Sequence, residues 1–101
     1  MRLSQAEREV LRTTAASAFG HDAVLRLFGS RVDDARRGGD IDLLVETHMS
    51  DPAAIAAAHT RFLAAVYARL GEQKIDVLID FPGRTHQSPI WDIAREQGVV
   101  L

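Results

Sequence analysis

Three aspartates stand where a strand would ordinarily carry apolar residues. Asp40 and Asp42 open the run Asp40-Ile41-Asp42-Leu43-Leu44-Val45, and Asp76 lies inside Ile75-Asp76-Val77-Leu78-Ile79. On an extended chain, residues two apart point the same way, which sets Asp40 and Asp42 roughly 7 Å apart at strand rise. Aspartate is a poor strand former, and like charges on one sheet face repel. Something positive is expected to offset that cost. Hard divalent cations favour carboxylate oxygens, and Mg²⁺ takes one or two carboxylates while keeping water and substrate phosphate oxygens in its octahedron.

A second group lies just upstream, where Ala23-Val24-Leu25-Arg26-Leu27-Phe28 runs into Gly29-Ser30-Arg31. Glycine at a strand end lets a phosphate approach the backbone. The following N–H groups and the Ser30 hydroxyl can donate to it. Arg31 adds a planar cationic donor suited to phosphate oxygens, and Arg36 and Arg37 extend the positive side of such a pocket. A phosphate cradle (Gly29, Ser30, Arg31) beside a metal-binding carboxylate set (Asp40, Asp42, Asp76) points to chemistry on a metal-bound polyphosphate.

The elements that must position these residues are marked by local signals. Ser4 and Glu7 have capping-box spacing, and Val10, Leu11, Ala15, Ala18 and Phe19 keep a helical rhythm up to Gly20. Residues 23–28 read as a buried strand. Residues 40–46 read as a second, with Ile41, Leu43 and Val45 on one face and Asp40, Asp42, Leu44 and Glu46 on the other. Ser50-Asp51-Pro52 opens an alanine-rich helix that runs to Leu70 and stops at Gly71. Residues 74–80 form a third strand, with Asp76, Leu78 and Asp80 on one side; Asp80, a full pleat further on, is the weaker metal candidate. Ser88-Pro89 begins a last helix to about Gln97, and Val99-Val100-Leu101 reads as an apolar tail. The resulting order is an α/β (α+β) domain, a small mixed sheet with helices packed mainly on one face. Strand order is not readable from the pattern.

Bulk composition narrows the function. The 101 residues suit one domain spanning 1–101, and 47% apolar content is enough for a core. Fourteen acidic against 12 basic side chains give a net charge of −2, which does not indicate direct nucleic-acid binding. With no cysteine, disulfide frameworks, thiolate metal sites and cysteine nucleophiles are excluded. Neither a signal-like segment nor a membrane span is visible, so a cytoplasmic protein is expected. The four histidines, His21, His48, His59 and His86, have no ligand spacing. Trp91 reads as the anchor of the last helix and Tyr67 as a packing residue. Ala56, Ala57, Ala64 and Ala65 are read as core or interface, with core favoured for any one of them.

Phe28-Gly29-Ser30-Arg31 followed by Asp40-Ile41-Asp42-Leu43-Leu44-Val45 and a later strand aspartate resembles the signature of the minimal nucleotidyltransferases of the DNA polymerase β-like superfamily. The resemblance reaches the tail, where Pro89-Ile90-Trp91-Asp92-Ile93-Ala94-Arg95-Glu96-Gln97-Gly98-Val99 looks like these proteins' closing helix. It implies a polymerase β palm-like fold and a nucleotidyltransferase using Mg²⁺, two ions, and ATP or another nucleoside triphosphate. It further implies that Gly29 and Ser30 hold the β- and γ-phosphates, that Asp40 and Asp42 bind metal, and that Asp76 completes the site and helps activate an acceptor hydroxyl. Many relatives have a serine where Gly39 stands here. Relatives of this size are often antitoxins paired with a HEPN-domain toxin, which some of these relatives neutralise by transferring AMP to a tyrosine. The resemblance therefore implies such a toxin as acceptor. The alternative is a non-catalytic antitoxin that covers its partner and uses the nucleotide site weakly or not at all.

Overall fold

A computed structural model describes residues 2–33, 39–85 and 88–101. Three α-helices and four strands follow in the order α1 (Gln5–Phe19), β1 (Val24–Phe28), β2 (Ile41–Glu46), α2 (Pro52–Leu70), β3 (Ile75–Asp80), α3 (Pro89–Gln97) and β4 (Val99–Val100). A short 3₁₀ helix, Gly29–Val32, follows β1 directly. Arg36, Arg37 and His86 lie outside the described residues.

Each helix starts where its capping chemistry allows. The Ser4 hydroxyl accepts from the Glu7 N–H while the Glu7 carboxylate accepts from the Ser4 N–H, so two otherwise unpaired donors of α1 are satisfied. Asp51 accepts from the Ala53 N–H at the start of α2, and Ser88 from the Ile90 N–H at the start of α3, each with proline in the first turn.

The four strands form one mixed sheet in the order β3-β2-β1-β4. β1 runs antiparallel to β2 and to β4, whereas β2 and β3 are parallel. The parallel pair needs a crossover, which α2 supplies. The expected apolar tail is thus a short edge strand: Val99 and Val100 pair with Leu27 and Arg26, and Leu101 is buried.

The two faces of the sheet carry separate clusters. Leu11, Ala15 and Phe19 of α1 and Ala58, Phe62 and Val66 of α2 pack on Leu25, Leu27, Ile41, Leu43, Val45 and Ile75. On the other face, Ala94 and Trp91 of α3 close over Phe28, Leu44 and Leu78. Two of three helices therefore share a face, and α3 alone covers part of the second. This is the small α+β sandwich expected, and it is consistent with a nucleotidyltransferase-like fold. Ala56, Ala57, Ala64 and Ala65 are exposed, contrary to the core reading, because Ile55, Ala58, Phe62 and Val66 set the inward side of α2. Among the described residues no helix is long and apolar enough to cross a membrane.

Candidate active site

The carboxylates lie on the face that α3 leaves partly open. In the sheet register Phe28 pairs with Asp42, and Asp42 with Asp76, so one row of side chains crosses β1, β2 and β3. Directly paired residues project from the same face, which brings Asp42 and Asp76 together. Their carboxyls are near enough for the charge of one to act on the other. Asp42 is half-buried and Asp76 exposed. Burial pushes the Asp42 carboxyl above its ordinary value; the negative charges of Asp76 and Asp40 push it further, and Lys74 partly opposes them.

Asp40, just ahead of β2, takes a different partner. Its carboxylate is 3.3 Å from the Lys74 ammonium, which stands beside it because Ile41 and Ile75 are in register. Among the described residues, no three His, Asp or Glu side chains converge tightly enough to form a ready metal cage. The donor chemistry fits one hard divalent cation, since Mg²⁺ needs only one or two carboxylates and two oxygen-bearing side chains already meet here. Engaging Asp40 as a further ligand requires it to give up Lys74.

Past the Phe28–Asp42–Asp76 row the chain turns sharply, and two glycines make the turn possible. Gly29 has φ of +77°, and a Cβ there would stand less than 3.0 Å from Asp42 Oδ2. Gly39 has φ of +91°, and its Cβ would collide with Ser30 Oγ. Ser30 thus occupies space that a side chain at position 39 would need. Even a serine at position 39 would not fit this arrangement.

Arg31, read from sequence as a phosphate donor, uses its guanidinium on the backbone: Nε donates to the Gly39 carbonyl at 3.4 Å and Nη1 to the Arg2 carbonyl at 3.1 Å. Arg2 returns the contact, donating from Nη2 to the Ser30 carbonyl at 3.0 Å. The two arginines brace the loop that presents Ser30. Arg2 carried no signal in the sequence, since its partners lie about 30 residues away.

The far end of the same face is arranged differently. Arg26 Nε is 2.6 Å from Glu46, Arg84 Nε is 3.0 Å from Asp80, and Arg95 contacts both Glu46 and Asp80. Asp80 is therefore held by two arginines. Hydrogen bonding to Glu46 raises the Arg95 pKa against the effect of desolvation.

Compared with models of known protein families and with the sequences of curated proteins, the chain gives no match. Fold and site together define the class: a small α+β protein with a carboxylate pair beside a glycine-serine turn at one end of its sheet.

Proposed function

We propose that this chain is a Mg²⁺-dependent nucleotidyltransferase, moving AMP from ATP to a hydroxyl on a partner protein. The observation that carries the reading is the direct pairing of Asp42 with Asp76 across β2 and β3, beside a glycine that has no room for a side chain. Two carboxyls paired on one sheet face, one of them half-buried, form a site that gains from a cation. When bound, Mg²⁺ would neutralise charge on the polyphosphate and lower the pKa of the acceptor hydroxyl.

The chain's own residues have distinct tasks in this reading. Asp42, with Asp40 once released from Lys74, holds metal. The Gly29–Ser30 turn donates backbone N–H groups and the Ser30 hydroxyl to the β- and γ-phosphates, and Arg31 and Arg2 keep that turn in place. Asp76, the more exposed of the pair, accepts the proton of the acceptor hydroxyl. The acceptor oxygen then bonds to the α-phosphorus, the bond to the bridging oxygen breaks, and pyrophosphate leaves with that electron pair. Placement and electrostatics supply most of the rate.

The acceptor we favour is a tyrosine of a HEPN-domain toxin, with the chain acting as a cytoplasmic antitoxin. One observation favours the second reading, a non-catalytic antitoxin: the Lys74–Asp40 ion pair withholds a carboxylate. The two are separated by incubating the chain with labelled ATP, Mg²⁺ and the protein encoded by the adjacent gene. Label on the partner that disappears with Asp42→Asn supports transfer. A tight complex without label supports the binding module.

A further inference from the structure

The sheet has two edges, and they are finished differently. At one, β4 offers two residues, and its Val100 carbonyl already accepts from Arg8 Nη2 at 3.3 Å. At the other, β3 runs six residues from Ile75 to Asp80 with β2 on its inner side. The Ile41 N–H donates to the Lys74 carbonyl and the Thr47 N–H to the Asp80 carbonyl. In that parallel ladder the even-numbered residues of β3 turn their backbone groups to β2, and Ile75, Val77 and Ile79 turn theirs outward. The Trp91 indole N–H takes the Ile79 carbonyl. Among the described residues, no hydrogen bond reaches the outward N–H and C=O groups of Ile75 and Val77. Packing agrees: Leu43 and Val45 of β2 are fully buried, whereas their register partners Val77 and Ile79 are only half-buried. An apolar edge with unpaired backbone is a template for another strand.

A strand added there has a fixed relation to the carboxylates. In an antiparallel pair, the residues facing Ile75 and Val77 exchange hydrogen bonds with them. The residue facing Asp76 falls in a non-hydrogen-bonded pair, where Cα atoms stand about 4.5 Å apart and side chains are closest. Paired residues share a face, so that side chain extends the row Phe28–Asp42–Asp76 by one place, beside the exposed Asp76. Its two neighbours turn to the apolar face, next to Ile75 and Val77. We infer that the outer edge of β3 docks the acceptor: an extended segment of the partner protein with a hydroxyl residue opposite Asp76, set between two apolar residues. A second copy of this chain fits the edge less well, because pairing β3 with β3 brings another Asp76 to a face that already holds Asp42 and Asp76. This docking mode rests on the nucleotidyltransferase reading and adds to it how the acceptor is presented; the transfer step is unchanged.

The probe is a capped peptide, Lys-Thr-Val-Tyr-Val-Thr, incubated with the chain, labelled ATP and Mg²⁺. Its tyrosine should take the label. N-methylation of either valine removes a donor to the edge and should raise the peptide KM about tenfold, the scale of one lost hydrogen bond. N-methylation of the tyrosine, whose N–H points away, should leave KM nearly unchanged. Val77→Pro removes an outward N–H without breaking a bond to β2; it should raise KM similarly while the ATP Kd by calorimetry stays the same. Should that variant fail to fold, the methylated peptides decide on the wild type alone. If both methylated valines are tolerated, or ATP binds and the peptide takes no label, the edge is not the acceptor site and the transferase proposal stands. A wild-type dimer that Val77→Pro dissociates, read by sedimentation, gives the edge to a second copy and overturns the inference. If ATP does not bind in Mg²⁺, the transferase proposal itself falls and takes this one with it.

Discussion

Asp42→Asn should make the metal-free protein more stable while removing its response to magnesium. In the native sheet Asp42 and Asp76 stand directly opposite on adjacent strands, a placement in which like charges cost about 0.2–1 kcal/mol. Asparagine keeps the shape, removes the charge, and has an amide that can donate to Asp76. The expected gain in a domain of this size is about 1–4 °C in Tm at neutral pH. Magnesium acts the other way. At free Mg²⁺ ten times its Kd, the wild type gains about 1.4 kcal/mol by linkage, and the variant, having lost a ligand, should gain much less. The order of stabilities should therefore invert between EDTA and Mg²⁺.

The pH dependence has a definite sign. Burial and neighbouring carboxylates raise the Asp42 pKa in the folded state, so the folded chain holds a proton that the unfolded chain has released. Its contribution is fully present below the ordinary carboxylate value of about 3.9 and is lost as pH rises through the raised native value. The advantage of Asp42→Asn in EDTA should accordingly be largest at pH 7 and vanish near pH 4. Thermal unfolding followed by far-UV circular dichroism, in EDTA and in Mg²⁺ at both pH values, covers every arm. A variant no more stable than wild type in EDTA at pH 7, or equally stabilised by Mg²⁺, would falsify the carboxylate-pair account.

Gly29→Ala combines left-handed backbone strain with overlap on Asp42, costing about 2–4 kcal/mol in urea denaturation; it should also lower Mg²⁺ affinity, because Asp42 must move. Lys74→Gln frees Asp40 from its 3.3 Å partner; at the roughly 0.2–1 kcal/mol of an exposed pair, Mg²⁺ should bind up to about fivefold more tightly by calorimetry. Weaker binding by that variant would count against Asp40 as a metal ligand. Thr47→Val removes a buried hydroxyl that donates to the Phe19 carbonyl at 2.9 Å and accepts from the Met49 N–H at 3.2 Å; about 1–3 kcal/mol of stability should go, with Mg²⁺ affinity unchanged.

What was legible in the chain was local. Proline at position 52, glycine at 71 and serine at 88 fix the ends of α2 and α3 through caps formed within a few residues, so those boundaries could be read closely. The shared face of Asp42, Leu44 and Glu46 follows from strand period alone. Pairings were not legible, because partners are chosen by tertiary packing. The edge strand Val99–Val100 exists only because β1 accepts it, and the Lys74–Asp40 pair depends on a parallel register that no local pattern states. Alanines gave the wrong sign: their small apolar area contributes little to choosing a buried side, and Ile55, Phe62 and Val66 decided it.

Asp76 and Asp80 show how far the sequence alone can go. Both sit on one face of β3 with the same apolar neighbours, and period and composition do not separate them strongly. The structure does, through the cations each meets. At the Asp80 end three arginines from β1, the turn after β3 and α3 interleave with Glu46 and Asp80, so that end is neutralised by the protein itself. At the Asp76 end, among the described residues, the opposing charge relieving Asp42 is Lys74, and its ion pair is with Asp40. A sheet that balances its acids at one end and pairs two of them at the other has an unneutralised end, which is the one the proposed function assigns to a cation, with the close approach at Gly29 assigned to a phosphate.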